Sequence, residues 1–215
     1  MTKMTSKLRP GEINLDFIPL DWPLTPLGEN KNPYILGWQG KPFTIEEVKK
    51  ELDSKKAAAI GLISGPVYQK PYGLVWVDID GPSVWNVIGE LSGLSIEQAL
   101  PKTLTICSGR EGRERKLYLV PKDHWPQFAR NKYNWHGEGH NEKLEVLWKK
   151  CQGVLMGHHP NTDGYFTKDG EDYEFVNNLP VIPDWLLNAI AKKNDCQHCF
   201  QDVWRKFCHQ YRDRS

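Results

Sequence analysis

The stretch GLVWVDIDG, residues 73–81, constrains the fold of this chain more than any other. Leu74, Val75, Trp76 and Val77 are consecutive apolar side chains, and such a run reads as a buried strand. A buried strand has no evident use for acids, yet this one closes on Asp78 and Asp80. Side chains two apart on a strand point the same way, so the two carboxylates project side by side. Left alone, adjacent carboxylates repel and raise each other's pKa. A divalent cation removes that conflict, and Mg²⁺ or Mn²⁺ prefers hard oxygen ligands of this kind. The competing reading is a strand that leaves the core through an acidic turn. The apolar run weighs against it, because it anchors the pair with the rigidity a metal site requires.

The rest of the chain supplies elements around that strand. The opening thirty-odd residues, with LDWPLTPLGENKNPYILGW, are proline-rich and irregular. TIEEVKKELDSKKAAAIG predicts a helix, with Thr44 as N-cap and Glu47 closing a capping box. Residues 60–64 and 73–79 predict strands, and 82–93 predicts a helix that begins at a proline. Strands follow at 103–107 and 116–120 around a charged turn, then at 143–150 and 153–157, and 183–193 predicts a last helix. Strands and helices interleave without strict alternation, which predicts a mixed α+β domain over residues 1–193, followed by a short basic tail at 194–215. With 39% hydrophobic residues and nine tryptophans the chain has material for a core, so wholesale disorder is excluded. No apolar leader opens the chain and no run approaches the length of a membrane span, so a cytoplasmic protein without a membrane partner is expected. Five cysteines, odd in number and unevenly spread, fit a reducing compartment.

A formal charge of only +1 does not announce a polyanion partner, so any such preference has to be local. It is: residues 109–132 hold seven Lys or Arg against three acids. Within SGREGRERKLYLV (108–120), Ser108 and Gly109 leave a strand while Arg110, Arg113, Arg115 and Lys116 crowd the turn. Glycines let backbone N–H groups approach a ligand, and guanidinium forks match phosphate oxygens. The same residues also read as a solvated hairpin tip in which Glu and Arg compensate one another. A third carboxylate for a two-metal site is Glu145, in KLEVLW, a lone acid among apolar neighbours that is either on an exposed face or a ligand. Asp163 and Asp169 are weaker candidates, since each sits in a glycine-containing turn. In GHHPNTDGY (157–165) consecutive histidines diverge and no further ligand stands at zinc spacing, so one histidine, His159, contacting a phosphate or sugar is the better reading.

Together and in this order, these pieces resemble the N-terminal domain of bifunctional DNA primase/polymerases in the archaeo-eukaryotic primase superfamily, nearest to the type found in cyanobacteria and their phages or plasmids. WVDID (76–80) is similar to the family's first motif, SGREGRERKLYL (108–119) to its second, LEVLW (144–148) to its third, and GHHPNTDGYF (157–166) to the segment that follows, with coverage of roughly residues 16–192. The resemblance implies an RRM-like α+β core with a mixed or antiparallel sheet flanked by helices. It also implies nucleotidyl transfer on a DNA template in phage or plasmid replication, with dNTPs or NTPs as substrates. Asp78, Asp80 and Glu145 would then hold two divalent ions, Mg²⁺ or Mn²⁺. Ser108, Gly109, Arg110, Arg113, Arg115, Lys116 and His159 would bind the nucleotide. Where many members carry the second-motif histidine, this chain has Lys116, which can grip a triphosphate as a point charge. Strand alternation puts Lys116 and Tyr118 on one face and Arg115 and Leu117 on the other, and the match to that histidine selects Lys116 for the site.

Trp125, Tyr133 and Trp135, near Lys122, Arg130 and Lys132, are candidates for stacking on a template strand, with core packing as the equal alternative. In the tail, Cys196, Cys199, Cys208 and His209 are four potential zinc donors, but their pairs stand closer than in most zinc folds. A basic amphipathic helix leading toward a partner such as a replicative helicase is the alternative there. Two rival functions remain: a non-catalytic nucleotide- or DNA-binding replication protein with a degenerate site, and a metal-dependent nuclease. A nuclease has no need of a triphosphate cradle, which the basic turn provides.

Overall fold

The computed structural model describes residues 9–168 and 173–195. The strand predicted from GLVWVDID is β4 (Tyr72–Asp80), whose interior is buried on both faces. Around it lie β1 (Leu24–Leu27), β2 (Ala59–Ile63), the two-residue β3 (Gly65–Pro66), β5 (Thr105–Cys107), β6 (Arg113–Pro121), β7 (Lys132–His136), β8 (Lys143–Leu147), β9 (Gln152–His159) and β10 (Thr162–Thr167). The helices are α1 (Ile45–Asp53), α2 (Val84–Ser92), α3 (Ile96–Ala99) and α4, residues 184–195.

The strands join in the order β1-β2-β9-β10-β5-β6-β4-β8-β7, with β3 against the start of β4. Every registered pair is antiparallel. The sheet curls into a half-barrel, and Trp76 shows how far. Its indole N–H on β4 donates to the Leu62 carbonyl on β2 at 3.1 Å, although several strands separate β2 from β4 in the sheet order. Gly153 on β9 faces the same ring, so closely that an added Cβ would sit 2.5 Å from the indole nitrogen.

Curling divides the core in two. The concave side holds Leu24, Leu62, Leu74, Trp76, Ile106, Leu117 and Met156. The other side of β4, β6 and β8, with Val75, Val77, Tyr118 and Val146, is covered by α2 and α4 through Val84, Ile88, Leu186 and Ile190. A fully buried Leu or Val side chain contributes roughly 1.5–3 kcal/mol. Both layers therefore hold β4 in place, and with it whatever its last residues carry.

The α+β class and the predicted helices stand. The capping box on α1 is complete, with Thr44 Oγ1 accepting from Glu47 N–H and the Glu47 carboxylate accepting from Thr44 N–H. Three strands depart from expectation. The opening segment, expected to be irregular, contains β1; the residues around Tyr133 form β7; and Thr162–Thr167, expected as a glycine turn, form β10. Asp163 accordingly stands exposed on a strand. Asp169 and the proposed zinc donors Cys196, Cys199, Cys208 and His209 lie outside the described residues.

Candidate functional site

The register of β4 builds the site. Asp78 lies opposite Arg115 on β6 and opposite Glu145 on β8, and Asp80 lies opposite Arg113 and Lys143. Directly opposed residues of an antiparallel pair share a face and have Cβ atoms about 4.5–5.5 Å apart. Asp78, Asp80 and Glu145 thus start from one face of two adjacent strands, β4 and β8, the face that Trp76 and Leu117 extend into the concave core.

Each carboxylate already has cationic partners. Arg115 Nη2 lies 2.5 Å from Asp78 Oδ2, and Arg113 pairs with Asp80. The Glu145 carboxylate, 7% exposed, is 2.7 Å from Lys132 Nζ and 3.1 Å from Lys143 Nζ. Burial opposes the charge on Arg115, but Asp78 beside it outweighs burial and holds the guanidinium pKa above its ordinary value. Among the described residues no three His, Cys, Asp or Glu side chains converge as a metal-ligand set.

Next to the aspartates is a cavity of about 210 Å³, lined by Lys31, Ile106, Ser108, Arg110, Arg113, Glu114, Arg115, Val154 and Tyr165 besides Asp78 and Asp80. Ser108, Arg110 and Arg113 come from the turn that the sequence singled out, in which Gly109 at φ 76° and Gly112 at φ 65° take the left-handed conformation that glycine adopts freely. At Gly112 a side chain is also excluded by space, since a Cβ would meet the Pro82 nitrogen at 2.7 Å.

Lys116 is not part of this cavity. It pairs with Val77 and Thr105 across the sheet and points to the face opposite the aspartates. There its Nζ lies 3.3 Å from Glu114 Oε1 and donates to Thr105 Oγ1 at 3.1 Å, while Lys168 holds the other Glu114 oxygen at 2.5 Å. The assignment of Lys116 rather than Arg115 to the site is therefore corrected. Alternation had separated the two residues properly, and the pairing Asp78–Arg115 decides which of them looks inward.

His159 on β9 is 1% exposed and packs edge-on against Tyr165, with ring centroids 5.2 Å apart. Burial, reinforced by the positive charges of Lys31 and Arg110, lowers its pKa to about 4. The imidazole is therefore neutral at pH 7. Its Nδ1 accepts from the Asn161 N–H at 3.1 Å, which leaves the proton on Nε2. That N–H is buried and has no hydrogen-bond partner among the described residues. Tyr165 is pushed up to about 12 by burial and by Asp78, with Arg115 acting the other way.

Two cavity residues escaped the sequence reading. Lys31 comes from the loop after β1, and nothing in ENKNPY distinguishes it from any exposed lysine. Tyr165 stood in a motif already marked, but its place in a supposed turn concealed that it faces inward. Of the candidate template aromatics only Tyr133 is fully buried, while Trp125 and Trp135 stay half-exposed. Tyr133 is 2% exposed, receives a hydrogen bond from Arg130 N–H and bonds Asn194, and Trp125 and Trp135 pack against the helix-covered core.

Residues 14–185 match the family described as bifunctional DNA primase/polymerase, N-terminal. No curated protein matches the chain.

Proposed function

This chain belongs to the bifunctional DNA primase/polymerase family, and from that premise we propose that it is a template-directed nucleotidyltransferase that joins dNTPs, and NTPs where priming requires them, on a DNA template. The observation that carries this reading is the register of three strands, which starts Asp78, Asp80 and Glu145 from one face beside a cationic cavity. The RRM-like core expected for the family, the phage or plasmid setting and a helicase partner belong to the same proposal.

The donors fit a divalent ion chemically: three carboxylates, all hard oxygen ligands, whose present partners are cations that a dication would replace. Asp78, Asp80 and Glu145 would hold Mg²⁺ or Mn²⁺, which when bound polarises phosphoryl oxygens and lowers the pKa of an attacking hydroxyl. The chain's own groups do the rest. Arg113 and Arg115, once released from the aspartates, present guanidinium forks to phosphate oxygens. Arg110 adds a further positive charge at the turn, and the neutral His159 presents an N–H donor without carrying charge. Ser108, 7% exposed, and the left-handed Gly109 bring the backbone of the turn toward the same cavity.

A specific observation favours a second reading. Each acid is neutralised by Arg or Lys of the same chain, as a degenerate site that binds nucleotide without turning it over would be. One experiment separates the two. Purified protein is incubated with labelled dNTPs and template, with and without primer, in Mg²⁺ or Mn²⁺. Incorporation that the Asp80→Asn variant lacks supports the polymerase, and dNTP binding without incorporation in either metal supports the degenerate site.

A further inference from the structure

On the face of the sheet away from the acids is a groove of about 470 Å³ between the end of α2, strand β7 and α4. Register puts it there. Trp135 on β7 lies opposite Leu144 on β8, which lies opposite Ile79 on β4. Ile79 stands between Asp78 and Asp80 in the strand and so points the other way. The apolar walls are Leu91 from α2, Trp135, and Trp185 from α4, with both indoles half-buried. Trp185 is fixed, since its N–H donates to the Ala99 carbonyl at 2.7 Å. Trp135 is held by stacking on Tyr133, ring centroids 6.5 Å apart, and by the Lys193 ammonium 4.6 Å from its centroid. Its own N–H has no acceptor among the described residues. The turn that leaves the groove after Ser92 exposes Leu94 by 45% and Ile96 by 47%.

The groove is cationic at one end. Lys192 and Lys193 line it, no acid does, and neither lysine has an ion-pair partner among the described residues. Arg130 stands beside them, its guanidinium donating to the Lys193 carbonyl at 3.0 Å. Burial, and then the charge of Arg130, lower the Lys193 pKa below its ordinary value. Residues 196–215, which follow α4, carry four Lys or Arg against two acids, so they add to this charge instead of complementing it. A single nucleic-acid strand would need free aromatic faces for stacking. Trp135 already engages Tyr133 and Lys193, and the sheet stands between this groove and the acids of β4. An exposed apolar patch with a charged rim suits a protein partner, and tryptophans are the side chains that most often carry such contacts. We propose that the groove docks an acidic segment of a partner protein that carries one bulky apolar side chain. That side chain enters between Leu91, Trp135 and Trp185, the flanking carboxylates meet Lys192 and Lys193, and the Trp135 N–H donates to a carbonyl of the segment. Such docking requires nothing of the chemistry at Asp78 and Asp80.

A random dodecapeptide phage library panned against the full chain tests this, with Lys192→Glu and Asn188→Trp as counter-selections. Both positions are exposed on α4, so neither change disturbs the core. The first reverses a charge and the second fills the groove. Peptides retained by the parent and lost by both variants should place Asp or Glu beside Leu, Phe or Trp. The most enriched of them, synthesised with a fluorophore, should bind both variants about tenfold more weakly than the parent, and bind the parent less tightly as salt is added. It should also shift the Trp135 indole N–H resonance, identified by its absence from the spectrum of a Trp135→Phe variant. Groove-dependent peptides that lack acids overturn the proposal, as does a selection that yields no peptide sensitive to both variants. Another occupant overturns it too: a single-stranded oligothymidylate or a synthetic 196–215 peptide whose binding both variants abolish, or a parent dimer that both variants dissociate in sedimentation.

Discussion

Replacing Lys116 with alanine is expected to damage stability and to spare nucleotide affinity. Lys116 is 4% exposed, and its ammonium lies 3.3 Å from a Glu114 carboxylate that is itself 8% exposed. At an effective dielectric constant of about 20, opposite charges at that distance attract by roughly 5 kcal/mol, most of which is offset by the cost of removing both from water. Truncating one partner of a buried pair forfeits the attraction and keeps the other's desolvation cost, typically about 3–5 kcal/mol. Here Glu114 retains Lys168 at 2.5 Å, a partner whose side chain is 47% exposed, so part of the compensation survives. The expected loss is about 2–3 kcal/mol, or roughly 5–10 °C in Tm for a domain of this size.

Urea denaturation should show a lower midpoint at unchanged m-value, because the surface exposed on unfolding is the same. The double variant Lys116→Met, Glu114→Gln should recover much of the loss, since it removes both charges at once. The same reasoning makes Arg115→Ala the variant with a functional phenotype: an apparent dNTP KM raised about tenfold, equivalent to roughly 1.4 kcal/mol. A Lys116→Ala protein that melts with the parent but shows the raised KM would refute the strand register on which all of this depends.

Three further outcomes follow from the geometry. His159 has a folded pKa of about 4 against 6.5 when exposed. Between those values the unfolded chain binds a proton that the folded one refuses, so its contribution to stability is complete above about pH 6.5 and is lost as pH falls toward 4. At pH 5 the parent should have lost about 2 kcal/mol that a His159→Gln variant retains relative to its own value at pH 7, checked by paired denaturation curves. Asp78→Ala should destabilise more than Asp80→Ala, because Arg115, with 21% of its side chain exposed, is left without its anion in a drier place than Arg113 with 26% and an open end of the strand. Calorimetric Tm values of the two variants and of Asp78→Asn with Arg115→Gln check this, the double variant being expected to regain stability without regaining activity. Glu142 accepts hydrogen bonds from both the N–H and the hydroxyl of Ser83 at the start of α2, which hold its carboxylate pKa below the ordinary value. Glu142→Ala should raise amide hydrogen exchange in the first turn of α2 and leave α4 unaffected.

What the sequence disclosed and what it concealed follow from the range of the interactions involved. β4 was legible because a strand covered on both faces needs a continuous apolar run, and α1 because Thr44 and Glu47 cap it within four residues. β1 was hidden by Pro23 and Pro26. A proline lacks the N–H of the ladder, but β1 is the outermost strand, bonded only to β2 within the sheet, and tolerates it there. β10 was hidden by Gly164, which reads as a turn residue. In fact it sits at φ 120° where the chain at Gly11 passes so close that a Cβ would lie 2.2 Å from its nitrogen. The aspartate pair could be found because it is local. The cavity could not, since it joins the loop after β1, the turn before β6 and strands β4, β9 and β10.

Between these extremes stands the choice of Arg115 over Lys116. Alternation along β6 is local and was read correctly, but which alternate set looks inward is settled elsewhere, and Trp76 settles it. Its indole N–H needs an acceptor once buried, finds Leu62 O across the curl, and fills the space that Gly153 leaves open. With Trp76 committed to the concave side, every second residue of β4 follows it, so Asp78 and Asp80 must lie on that side as well. Register then carries the choice across the sheet, from Trp76 to Leu117 and from Asp78 to Arg115. A slip of one residue would turn each of these side chains to the opposite face. A single buried tryptophan, whose ring lies 5.9 Å beneath the Arg115 guanidinium, thereby determines which cation of the basic turn faces the cavity.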